Sequence, residues 1–150
     1  MTETRQSLLY HFEESRSALL ATLDALTPAQ MLETTLDGWS VKDHLAHLAF
    51  WDDLRADEVI RLSAGYASVL KMTPDQDDVA NTLAFDVRRE ISLEQARWEL
   101  DHSYARLVGA LTSATGAALD PAAYGEAGIL SRHGFEHAGY IREWRTRQRI

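Results

Sequence analysis

The chain has 150 residues, 45% of them apolar and 25% charged, a composition that fits one globular domain over 1–150 with a sizeable core. Its 15 basic and 23 acidic residues give a formal charge of −8, which repels a phosphate backbone and sets nucleic-acid binding aside. Cysteine is absent, which excludes disulfides, thiolate metal sites and a protein thiol nucleophile, so any thiol chemistry needs a thiol from outside.

The opening MTETRQSLLYHFEESR carries acids where a signal peptide carries bases, and no apolar run reaches the roughly 18 residues of a membrane span. The expectation is a cytoplasmic protein. A first helix is predicted over Thr4 to Leu26, because Leu8, Phe12, Ser15, Leu19, Leu23 and Leu26 form one stripe at helical spacing. In TPAQM, Thr27 caps a single turn, with Pro28 at its first position and Gln30 closing a capping box. Ser40 and Asp43 form a second box that starts a helix running to about Gly65. Tyr66 to Asp78 reads as a loop, and NTLAFDVRRE as a further helical segment.

Ser92 with Gln95 opens the third long helix, whose stripe is Leu93, Leu100, Tyr104, Leu107 and Leu111 and whose end is set at Gly116. DPAAYGEAG reads as a linker, and the last helix as running from about Ala127 to the end. Arg142 to Arg149 make a short basic tail that suits a helix C-terminus. No segment alternates as a strand does, so the pattern predicts an all-α bundle of four long amphipathic helices.

Each helical residue advances about 100°, so Ile129, His133, Gly134, His137, Tyr140, Ile141 and Trp144 share one arc. Two imidazoles on adjacent turns of a core face can ligate one ion. The bland alternative, a core histidine satisfied by a hydrogen bond, suits one ring better than a pair. Gly134 lets a neighbouring helix come close. A third ligand must come from another helix, and the inward arc of the second offers His44 and His47. His44 has a competing role, since with Ser40 as cap it forms a hydrophobic staple with Trp39; His47 lies deeper and is preferred on spacing. His102 falls opposite its core stripe and His11 on a flank, so neither is expected to carry chemistry. Trp51, Tyr140 and Trp144 are read as core or cavity lining; Asp52 and Arg55 interrupt the inward side of their helix and are read as an ordinary surface pair in preference to pocket polar groups.

GWSVKDHLAHLAFWDD, followed late by EHAGYIREW, resembles the DinB/YfiT-like superfamily over nearly the whole chain. The resemblance implies an up-down-down-up four-helix bundle, often dimeric, so a homodimer is expected. It implies a metal held by His47, His133 and His137, with zinc or nickel suiting neutral imidazoles. Three neutral ligands leave the ion's charge uncompensated, which lowers the pKa of a bound water or thiol. The family includes S-transferases using bacillithiol or mycothiol, a mycothiol-dependent isomerase and toxin-protection proteins. The expected activity is therefore a metal-dependent transferase or hydrolase acting on small electrophiles with a low-molecular-weight thiol. The alternative is a non-catalytic metal-binding or stress-protection bundle. No residue stands out as a general acid.

Overall fold

The structure is a computed structural model and describes residues 4–126 and 128–150. Four long helices make the bundle: α1 (Arg5–Ala21), α3 (Val41–Ser63), α5 (Leu93–Thr112) and α6 (His133–Gln148). The single turn α2 (Pro28–Met31) follows α1, and α4 (Pro74–Arg88) lies beside α3. Two 3-10 turns, Gly116–Leu119 and Pro121–Tyr124, join α5 to the last helix. No strand forms among the described residues. The long helices pair chiefly as α3 with α5 and α1 with α6.

The stripe of α1 is buried at Leu8, Phe12, Ser15 and Leu19, yet the helix stops at Ala21 instead of Leu26. The Thr22 hydroxyl donates back to the Leu19 carbonyl, and Ala25 takes a left-handed conformation, φ 62°. Arg145 on α6 then donates to the carbonyls of Thr22 and Asp24, at 2.8 and 2.7 Å, which satisfies the unwound end. The capping boxes at Thr27/Gln30 and Ser40/Asp43 form as expected. Between them, Asp37 and Gly38 carry positive φ in a tight turn whose flanking Leu36 and Trp39 exchange backbone hydrogen bonds. That turn sets Trp39 against the first turn of α3.

Residues 74–78, expected in a loop, are helical, and α4 begins at Pro74. Thr73 caps it and Gln76 completes a capping box. Of α4's side chains only Ala84 is buried, and Val79, Leu83 and Val87 form an exposed apolar stripe. The α5 helix ends at Thr112, with Gly116 opening the following 3-10 turn rather than ending the helix. The start proposed at Ala127 lies outside the described residues, and α6 begins at His133, because Gly128 and Leu130 both adopt left-handed φ. Ile129 is still buried, but from that turn and not from a helical face.

The core has two parts. One gathers Leu8, Phe12, Val59, Leu107, Leu111 and Tyr124; the other gathers Leu19, Leu45, Leu48, Leu100, Ile141 and Trp144. No helix among the described residues is long and apolar enough to cross a membrane.

Candidate metal centre

α6 begins without a side-chain cap of its own. Ser15, buried on α1, supplies one instead: its hydroxyl oxygen accepts from the Phe135 N–H at 2.9 Å. The approach this requires is possible because residue 134 is glycine, where an added Cβ would lie 2.6 Å from Ser15 Oγ and 2.8 Å from the Ser15 carbonyl oxygen. The close contact predicted at Gly134 is thus with α1, and it seats the first turns of α6, which carry His133 and His137.

α3 carries His44 and His47 one turn apart, beside the core residues Leu45 and Leu48. The three histidines expected to converge do so: one ligand atom from each of His47, His133 and His137 lies within 4.8 Å of the others. His133 Nε2 is 3.1 Å from His47 Nε2 and 2.9 Å from His137 Nε2. Nitrogens about 2.1 Å from a shared ion sit roughly 3 Å apart when they subtend near-right angles, so this set fits one divalent cation. The donors suit it chemically as well. Burial, reinforced by neighbouring rings or by Arg55 and Arg16, lowers the pKa of His47 to about 3 and of His133 to about 4. Burial drives that of His137 further in the same direction. At neutral pH each ring is uncharged, as an imidazole ligand must be.

His44 belongs to the same cluster. Its ring meets Trp39 edge-on at 5.0 Å, as the staple predicts, but its Nδ1 also lies 2.6 Å from His137 Nδ1. Burial lowers its pKa to about 4. Trp39 contacts His47 at 5.2 Å and stacks on Phe85 of α4. The histidines border a cavity of about 400 Å³ between α3 and α6, whose wall includes Leu36, Trp39 and Asn81 and whose rim includes Glu136, Glu143 and Arg147. Tyr140 lines it too and donates to Glu136 at 3.0 Å.

The other histidines lie apart from this cluster. His102 is exposed and stacked on Trp98, and His11 packs beside Tyr10. Trp144 is fully buried core, with its indole N–H donating to Thr35. Trp51 is buried and donates to Asn81 at 2.7 Å. The reading of Asp52 and Arg55 as a surface pair is overturned, since both are buried and they do not bond each other. Asp52 pairs with Arg16 of α1, which lies over the Tyr104 ring; burial outweighs that cation and raises the carboxyl pKa to about 6. Arg55 sits by the rings of Trp51 and Tyr124, at 5.5 and 5.7 Å, with Nε and Nη1 lacking hydrogen-bond partners. Their place on the inward side of the helix is legible in the sequence, but the partners that hold them there, Arg16 of α1 and the Trp51 and Tyr124 rings, are not.

A family model described as the DinB superfamily matches residues 11–141. No curated protein matches the chain. Among solved structures, an uncharacterised protein from Escherichia coli UTI89 aligns at 18% identity with a TM-score of 0.78, covering 98% of this chain and 95% of that one. The mycothiol-dependent maleylpyruvate isomerase aligns at 16% identity with a TM-score of 0.64; it matches 93% of this chain, which spans only 58% of the isomerase. At these identities the likeness is one of fold.

Proposed function

The chain belongs to the DinB superfamily, and from that premise we propose that it binds zinc or nickel through His47, His133 and His137 and acts as a metal-dependent transferase or hydrolase. Its substrates in this reading are small electrophiles; the nucleophile is a low-molecular-weight thiol of the mycothiol or bacillithiol type for the transferase, and water for the hydrolase. The observation that carries the proposal is the convergence of three neutral Nε2 atoms on the wall of a cavity of about 400 Å³. The isomerase of similar fold is mycothiol-dependent, which supports the choice of thiol. An ion held there supplies Lewis acidity, which lowers the pKa of a water or thiol brought to it.

The chain's own residues give such a reaction its surroundings. Leu36 and Trp39 offer an apolar wall for the carbon skeleton of an electrophile. Asn81 accepts from Trp51 through Oδ1, which leaves its amide N–H groups for a substrate oxygen. Asp37, Glu136 and Glu143 set an acidic rim with Arg147 as its cation, a mouth suited to a polar thiol carrier. A cytoplasmic homodimer completes the proposal, with the exposed Val79, Leu83 and Val87 stripe as its supporting surface.

Metal analysis of the untagged protein is the test. Near-stoichiometric zinc or nickel is expected in the wild type and in His102→Ala, and its loss in His133→Ala and His137→Ala. Metal-dependent transfer of mycothiol or bacillithiol to a panel of electrophiles would then establish the enzyme. A wild type without metal sinks the proposal, and metal without turnover leaves a binding bundle.

A further inference from the structure

Assigning His47, His133 and His137 to an ion leaves His44 unexplained. It is buried one turn before His47, with Nδ1 2.6 Å from His137 Nδ1 and Nε2 enclosed without a hydrogen-bonding partner. At that separation the two Nδ1 atoms share one proton. A neutral imidazole carries a single N–H, so the position of that proton dictates the tautomer of both rings.

Two arrangements are possible. In the first, His44 Nδ1–H donates to His137 Nδ1. His137 then holds its proton on Nε2, where His133 Nε2 accepts it at 2.9 Å, and the enclosed His44 Nε2 is a bare lone pair. Both N–H groups of the pair are satisfied, but His137 has no lone pair left for an ion. In the second, His137 Nδ1–H donates to His44 Nδ1. His137 Nε2 is then free to ligate, and His44 must hold its proton on Nε2, which has no acceptor. A buried donor without an acceptor is costly, so the first arrangement belongs to the metal-free protein and the second to the loaded one.

We propose that His44 is a positioning residue that orients His137 and sets its tautomer through the Nδ1–Nδ1 hydrogen bond, and that loading the site inverts the tautomers of both rings. Proton count is conserved. His44 passes its Nδ1 proton to His137 Nδ1; His137 loses the proton on Nε2; His44 takes one up on Nε2 through solvent. The inference rests on His137 being a ligand, and the experiment separates the two ideas.

Long-range 1H–15N correlation spectra of the full-length, histidine-labelled protein at pH 7.5 report each ring's tautomer. In metal-free protein His44 is expected protonated on Nδ1, and after titration with zinc chloride on Nε2, with His137 protonated on Nδ1. A His44 ring that keeps one tautomer while His137 Nε2 shifts on zinc binding overturns the proposal. A second measurement uses His44→Phe, which keeps ring volume without an acceptor, and His44→Gln, which restores one. Zinc affinity should fall about 10–100-fold in the Phe variant and recover in part in the Gln variant. A Phe variant that binds within twofold of wild type also overturns it. If wild type takes up no zinc, or takes it up without His137, the ligand assignment has failed instead.

Discussion

Gly134→Ala tests the packing that seats the site. The new methyl would lie 2.8 Å from the Ser15 carbonyl oxygen and 3.1 Å from the carbonyl carbon, both backbone atoms that cannot rotate away. Ordinary contact begins near 3.4 Å, so α1 and α6 must separate by about 0.6 Å. Overpacking of this kind costs about 1–3 kcal/mol. Displacing Ser15 also weakens the bond that caps α6 at Phe135, for about 1 kcal/mol more, while alanine returns about 0.5–1 kcal/mol of helix propensity. The net loss is about 1–3 kcal/mol, and each kcal/mol lowers Tm by about 2–4 °C in a chain of this size. Gly139→Ala is the internal control. It lies on the same helix with nothing within 4 Å of the added methyl, so it should gain about 0.5–1 kcal/mol. Metal-free thermal and urea melts followed by circular dichroism give both numbers. If Gly134→Ala is as stable as Gly139→Ala, the close contact with Ser15 does not exist as described.

Metal-free protein should lose stability as pH falls below 6.5. His44, His47 and His133 have folded pKa values of about 4, 3 and 4 against an ordinary 6.5, so below 6.5 the unfolded chain takes up protons the folded one refuses. Each contributes a loss of about 1–2 kcal/mol by pH 5. Asp52, whose folded pKa is raised to about 6, acts in the opposite direction and returns about 1 kcal/mol over the same range, so the histidines prevail. Urea midpoints that stay level from pH 7 to pH 5 would contradict this. Zinc at a hundredfold excess over Kd should stabilise wild type and His102→Ala by about 2.7 kcal/mol, and His133→Ala by far less; equal thermal shifts in all three would place the ion elsewhere. Glu58 is fully buried and accepts from Arg61, Ser68 and the Val69 N–H, so Glu58→Ala should speed hydrogen exchange at Val69 and Leu70 while α5 amides keep their protection. Unchanged exchange there would show that the loop is held by other contacts.

The starts of α3 and α5 are readable almost to the residue, although only α3 completes its capping box: Ser92 caps α5, but the Gln95 side chain donates to Glu99 instead of closing the box. The signature Thr-Pro-x-Gln occurs twice, at Thr27 and Thr73, and caps a helix both times. The second escapes notice because Thr73-Pro74-Asp75 also reads as turn chemistry, and the stripe that follows, Val79, Leu83 and Val87, stays exposed. Two boundaries depend on distant partners, and local pattern does not reveal such partners. The end of α1 is satisfied by Arg145, and the start of α6 by Ser15. At the site, spacing and the family resemblance identify the histidines that converge. His44's contact with His137 depends on how α3 and α6 approach each other, so helical wheels drawn one at a time cannot contain it.

His47 and His133 stand 86 positions apart in the chain, yet their Nε2 atoms meet at 3.1 Å. An ion gripped by both turns the intervening stretch into a closed circuit. With the proposed ion bound, the C-terminal helix would be unable to peel from the bundle until a coordination bond broke, so loss of the ion would limit the escape of α6. In a chain without cysteine such an ion would be a removable clasp, opened by chelation where a disulfide would be opened by reduction.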